Sequence, residues 1–98
     1  MTYEFTLYVG GKGGAAQRAL LDVETMCEQF IDEPYELTVV DVADDPQAAA
    51  AEEISVLPTL IRRRPAPARR VLGDLGDPEA LARALRLDLA GTSGNRRV

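Results

Sequence analysis

A chain of 98 residues, 46% of them hydrophobic, forms a single domain near the lower end of sizes that bury a self-sufficient core. It has no histidine and one cysteine, which removes the usual general base, the usual pH sensor, the common metal-site patterns and any internal disulfide. No apolar run approaches the roughly 20 residues of a membrane span, and Met1-Thr2-Tyr3-Glu4 leads straight into a strand without a signal-peptide pattern, so a cytoplasmic protein with no membrane association is expected.

The net charge of -5 hides a division. Met1 to Ile61 holds twelve acids against Lys12 and Arg18, whereas Arg62 to Val98 holds nine arginines against Asp74, Asp77, Glu79 and Asp88. Such a dipolar surface steers partners or favours head-to-tail contacts.

From Tyr3 to Val9 the residues Tyr3, Phe5, Leu7 and Val9 alternate with Glu4, Thr6 and Tyr8, and period two predicts a strand. Gly10-Gly11-Lys12-Gly13-Gly14 breaks it. Ala15 to Ile31 carries Ala16, Leu20, Val23, Cys27 and Phe30 at helical spacing, and Asp32-Glu33-Pro34 ends that helix. Tyr35 to Val42 is a second strand; strand, helix, strand without a tight hairpin implies a right-handed parallel crossover. Asp44-Asp45-Pro46 is a helix start, with an acidic cap and proline at the first helical position, for a short helix over Gln47 to Glu53.

The segment Ile54-Ser55-Val56-Leu57-Pro58-Thr59-Leu60 then joins a helix to an apolar strand, and a proline without an N–H belongs at a strand's first residue or on an edge. Thr59 to Arg63 and Ala68 to Gly73 are predicted as an antiparallel hairpin around Arg64-Pro65-Ala66-Pro67. Asp77-Pro78-Glu79 repeats the helix-start chemistry, and Leu81, Leu85 and Leu89 form the stripe of a last helix capped by Gly91. Residues 1–90 then make the domain and 91–98 a frayed tail.

The order βαβαββα with a Pro-Thr corner resembles the thioredoxin fold, an α/β architecture with a mixed four-stranded sheet. That resemblance implies a cis peptide before Pro58; a trans proline in an ordinary loop is the alternative. The redox chemistry of that fold is missing. Its Cys-x-x-Cys would stand at Gly10 to Gly14, and Cys27 lies about three turns into the helix, on the stripe expected to face the core. Gly11-x-Gly13-x-x-Ala16 is a weak dinucleotide pattern: the acid that ends the second strand, Asp41, lies 28 residues past Gly13 instead of about 20, no second mononucleotide half fits, and no Gly-Lys-Ser/Thr occurs. The arginines at 62–64 and 69–70 put five cations on an expected exposed ribbon. With no aromatic residues interleaved and an acidic remainder, the ribbon suits an acidic protein surface better than nucleic acid.

Leu7-Tyr8-Val9-Gly10, Arg18-Ala19-Leu20, Val40-Asp41-Val42, Asp45-Pro46-Gln47, Leu57-Pro58-Thr59-Leu60 and Pro67-Ala68-Arg69-Arg70-Val71-Leu72-Gly73-Asp74-Leu75 occur in an order and spacing that resemble the KaiB family of circadian-clock proteins, from Tyr3 to Leu89. The resemblance implies a non-enzymatic, cofactor-free protein that binds the hexameric clock ATPase KaiC and, in full clocks, sequesters KaiA or competes with a KaiB-like sensor histidine kinase. It also implies fold switching: a resting form, often tetrameric, that remodels the second half of the chain, and a thioredoxin-like form that binds partners. Partner contacts are implied at Arg18, Glu36, Thr38, Glu53, Arg62, Arg69 and Arg70. Thr38 and Glu53 stand where the family commonly has Lys, a change that weakens charge complementarity.

In the last helix, Ala84 and Arg86 replace the Gly and Asp of well-known members. Ala84 is expected to gain roughly 1 kcal/mol of helix propensity. Arg86, expected near the helix C-terminus, should add about 0.3–1 kcal/mol from the dipole. With Pro58 these positions are expected to set the fold state, favouring a thioredoxin-like monomer at rest. Two readings from other classes stay open: a small thiol-transfer enzyme using Cys27, and a detached sensor-like domain that binds a kinase.

Overall fold

The computed structural model describes residues 2–87. Its elements are β1 (Tyr3–Val9), α1 (Gly14–Phe30), β2 (Tyr35–Asp41), α2 (Pro46–Ala51), β3 (Thr59–Arg64), β4 (Arg69–Leu72) and α3 (Pro78–Ala84). The four strands form one sheet in the order β2-β1-β3-β4, with β1 parallel to β2 and antiparallel to β3, and β3 antiparallel to β4. This is the α/β architecture with a mixed sheet that the element order predicts. The Leu57-Pro58 peptide is cis, as are those before Pro65 and Pro67.

The period-two pattern of β1 explains one side of its burial. Tyr3, Phe5, Leu7 and Val9 meet Val23, Met26 and Cys27 of α1 and Leu81, Ala82 and Leu85 of the α3 segment in one apolar cluster. Each such large side chain withdrawn from water contributes about 1.5–3 kcal/mol. Thr6 and Tyr8, on the opposite face, are buried as well. Arg63 of β3 covers them, its Nε donating to Thr6 Oγ1 at 2.8 Å and its Nη2 to Tyr8 Oη at 2.8 Å.

Both short helices start by the chemistry read in the sequence. Asp45 Oδ1 accepts from Ala48 N–H and Asp77 Oδ1 from Ala80 N–H, with Pro46 and Pro78 in the first helical turn. The stops differ from expectation. α2 ends at Ala51, and Glu53 follows with φ 57°. Arg86 does not lie inside the last helix: α3 ends at Ala84, and Arg86 leaves it with φ 65°. The dipole gain expected for Arg86 is therefore corrected to a conformational cost, because a non-glycine residue in the left-handed region is disfavoured. Ala84 closes the helix, where propensity counts for less than in the interior. Leu89, the Gly91 cap and the tail at 91–98 lie outside the described residues.

Candidate protein-docking surface

β1 delivers the chain to Gly10–Gly13, and α1 returns beside the Pro58 corner. A depression of about 410 Å³ opens there between Ala15, Arg18, Asp22, Leu57, Pro58 and Asp74. Val56, Leu57 and Leu72 stay exposed around the corner. Arg18 projects from α1 and holds Asp22 one turn on, Nε to Oδ1 at 3.3 Å. The depression thus has an apolar floor and a charged lip, a form suited to a protein partner.

The glycine loop is closed to phosphate. One Asp41 oxygen accepts from Gly11 N–H at 2.8 Å and Ala43 N–H at 2.9 Å, while the other meets Lys12 Nζ at 3.0 Å. Lys12 also reaches Asp44 at 2.6 Å. Those bonds hold the Asp41 carboxyl below its ordinary 3.8, the Gly11 amide contributing most and Lys12 next. Gly11, at φ 86°, provides the positive angle this turn requires. An anion would face a carboxylate already seated on the loop, which works against the dinucleotide reading. Beside it lies a groove of about 550 Å³ over Val9, Ala16, Leu20 and Val39 with Asp44 and Asp45 at its rim; no residue spacing announced it, because its walls come from three separate elements.

No thiol chemistry is available in the usual place either. Cys27 is buried in the cluster against β1, and burial pushes its thiol up to about 12, with Glu24 and Glu28 adding to the rise. A neutral, enclosed thiol is neither nucleophile nor metal ligand. Among the described residues no group of three or more His, Cys, Asp and Glu is placed to hold a metal ion.

The positions expected to meet a partner do not form one patch. Arg18 belongs to the Pro58 depression. Glu36 and Thr38 are exposed on β2, the strand at one edge of the sheet, while Arg69 and Arg70 are on β4 at the other edge. Glu53 is exposed just beyond α2. Arg70 is not a free cation: its Nη2 meets Glu52 Oε1 at 3.3 Å, and Arg63 Nη1 meets the other Glu52 oxygen at 3.4 Å.

Arg62 requires a correction. It shares the core face of β3 with Leu60 and is only 5% exposed, so the hairpin does not present five solvated cations. Its Nη1 donates to Leu85 O at 2.8 Å and its Nη2 to Pro67 O at 2.6 Å, strapping the hairpin to the end of α3. The alternation of Leu60 and Arg62 contained this signal: residues two apart share a face of a strand.

Comparison with known proteins agrees with the geometry. Residues 6–87 match the KaiB domain. The circadian clock oscillator protein KaiB of Gloeothece citriformis is 40% identical over 86 residues, spanning 88% of this chain and 81% of that protein. The circadian clock protein KaiB3 of Synechocystis sp. is 34% identical over 73 residues, 74% of this chain and 72% of that one. Among solved structures, the N-terminal domain of Synechococcus elongatus SasA superposes with a TM-score of 0.74 at 23% identity, covering 98% of this chain and 90% of that domain. Chloroplastic thioredoxin z superposes with a TM-score of 0.68 at 19% identity, covering 90% and 80%. Those two likenesses establish a thioredoxin-like fold and nothing further. With the domain matched over most of its length and relatives near 40% identity, the chain belongs to the KaiB family of circadian clock proteins.

Proposed function

We propose that this chain is a non-catalytic regulator that acts by binding a KaiC-type hexameric ATPase, in a clock or in a simpler timing or stress pathway, and that it rests as a thioredoxin-like monomer. The observation that supports this reading is the KaiB match over residues 6–87 together with relatives named as clock proteins. The enclosed thiol of Cys27 removes the support for the thiol-transfer alternative. Contact is assigned to the Pro58 depression with Arg18, and to Arg69 and Arg70 on the β4 edge; Glu36, Thr38 and Glu53 are the acidic and neutral positions that set selectivity for a partner.

A pull-down from native lysate tests the reading. Recovery of a hexameric ATPase supports it. Recovery of a KaiA-like protein or a sensor histidine kinase without the ATPase replaces the partner, and recovery of neither removes the reading.

A further inference from the structure

Among the described residues, Arg18, Arg63, Arg64, Arg70 and Arg83 each meet a carboxylate within 4 Å. Arg62, Arg69 and Arg86 meet none among those residues, and these three lie together. Arg62 and Arg69 are direct partners across the β3–β4 ladder, so their side chains leave the same face of the sheet with Cβ atoms about 5 Å apart. Arg86 follows Leu85, whose carbonyl accepts from Arg62 Nη1 at 2.8 Å, so its backbone is fixed beside the same guanidinium. Arg62 is nine-tenths buried and more, and its Nε–H is enclosed without an acceptor. Two carbonyls satisfy two of its five N–H groups, and no carboxylate of the described residues neutralises its charge.

Like charges opposite one another on a ladder oppose folding, and an enclosed cation without a counter-ion opposes it further. Burial holds the Arg62 guanidinium below its ordinary value; Tyr3 acts against that fall, and Arg69 and Arg86 act with it. The structural role of the Arg62 fork explains one arginine at this place and not three. Arg69 is half-buried and Arg86 exposed, so the cluster opens to solvent on their side.

We infer that Arg69 and Arg86, backed by Arg62, form a binding site for a phosphoryl dianion. A dianion is favoured over a single carboxylate because it neutralises two of three positive charges, and its several oxygens match the planar forks of two guanidinium groups at once. Free inorganic phosphate and a phosphorylated side chain of another protein offer the same chemistry. The inference concerns the isolated chain and does not depend on the ATPase reading.

The test is thermal unfolding of the full chain at constant ionic strength, with chloride replaced by inorganic phosphate, and in a second arm with a phosphoserine peptide beside its unphosphorylated twin. A ligand at ten times its Kd should raise Tm by roughly 5–10 °C in a domain of this size. The rise should saturate, disappear in Arg69→Gln and Arg86→Gly, and persist in part in Arg86→Lys. Arg86→Gly keeps the positive φ, so its fold survives and only the phosphate-induced difference is compared. A rise in both arms identifies a general phosphate site, and a rise with the phosphopeptide alone identifies a protein source. No rise in either arm, an equal rise in both charge-removing variants, or equal stabilisation by the unphosphorylated peptide overturns the inference.

Discussion

Arg86 leaves α3 with φ 65°, a place where helices favour glycine because a Cβ is disfavoured in the left-handed region. Arg86→Gly should therefore stabilise the free protein by about 0.5–1 kcal/mol, seen as a higher urea midpoint at unchanged slope; a lower midpoint would show that the arginine side chain contributes more than its backbone costs. Cys27 presents the opposite case, a residue whose chemistry its surroundings suppress. With its thiol pushed up to about 12, it should resist alkylation at neutral pH in the folded state and react fully in urea. Cys27→Ala should cost about 1 kcal/mol of stability and leave partner binding intact; loss of binding would restore a thiol role. Asp41 sets the acid limb. Its folded value lies below the ordinary 3.8, so its stabilisation is complete above about pH 4 and is lost as pH falls through the folded value. Asp41→Asn should flatten the fall in urea midpoint below pH 4; an undiminished fall would place the acid sensitivity elsewhere.

At the scale of elements, α2 has the weakest hold. Six residues are too few to sustain a helix alone, and the Asp45 cap begins one turn that something else must fix. Glu52 supplies it, joining the end of α2 to Arg63 and Arg70 on the sheet. These pairs are about one-third exposed, so Glu52→Gln should cost only about 0.5–1 kcal/mol. Its clearer sign should be faster amide exchange at Ala50 and Ala51, which added salt should imitate in the wild type; unchanged exchange would mean that Ala49 packing alone holds the helix. The elements were largely legible in the sequence because periodicity and the two Asp-Pro starts are local signals. The burial of Thr6 and Tyr8 was not, since their cover is Arg63, 57 and 55 residues away. The end of α3 was missed because Leu81 and Leu85 continue a helical stripe that Leu87 reaches by a turn instead.

Across the whole molecule, the acidic first part and basic second part of the chain do not become two plain faces. Ion pairs between them, Glu4 with Arg64 and Glu52 with Arg63 and Arg70, consume much of the division. What remains is local: the Pro58 depression with Arg18, and the cluster of Arg62, Arg69 and Arg86. Charge reversal at Arg69 and Arg70 should accordingly weaken partner binding at least tenfold and flatten its salt dependence, with most of the loss at Arg69 because Arg70 already has a carboxylate; an unchanged affinity and salt slope would leave the hairpin as a solvated ribbon. The fold of the free chain can be checked separately. NMR secondary shifts should be helical across Pro78–Ala84, and a strand signal from Leu81 to Leu87 would contradict a thioredoxin-like resting form. The most direct measurement is sedimentation velocity of the labelled chain with a purified KaiC-type ATPase. The account predicts that the chain moves with the hexamer at micromolar concentration; a labelled chain that sediments alone, unchanged by saturating ATPase, would contradict it.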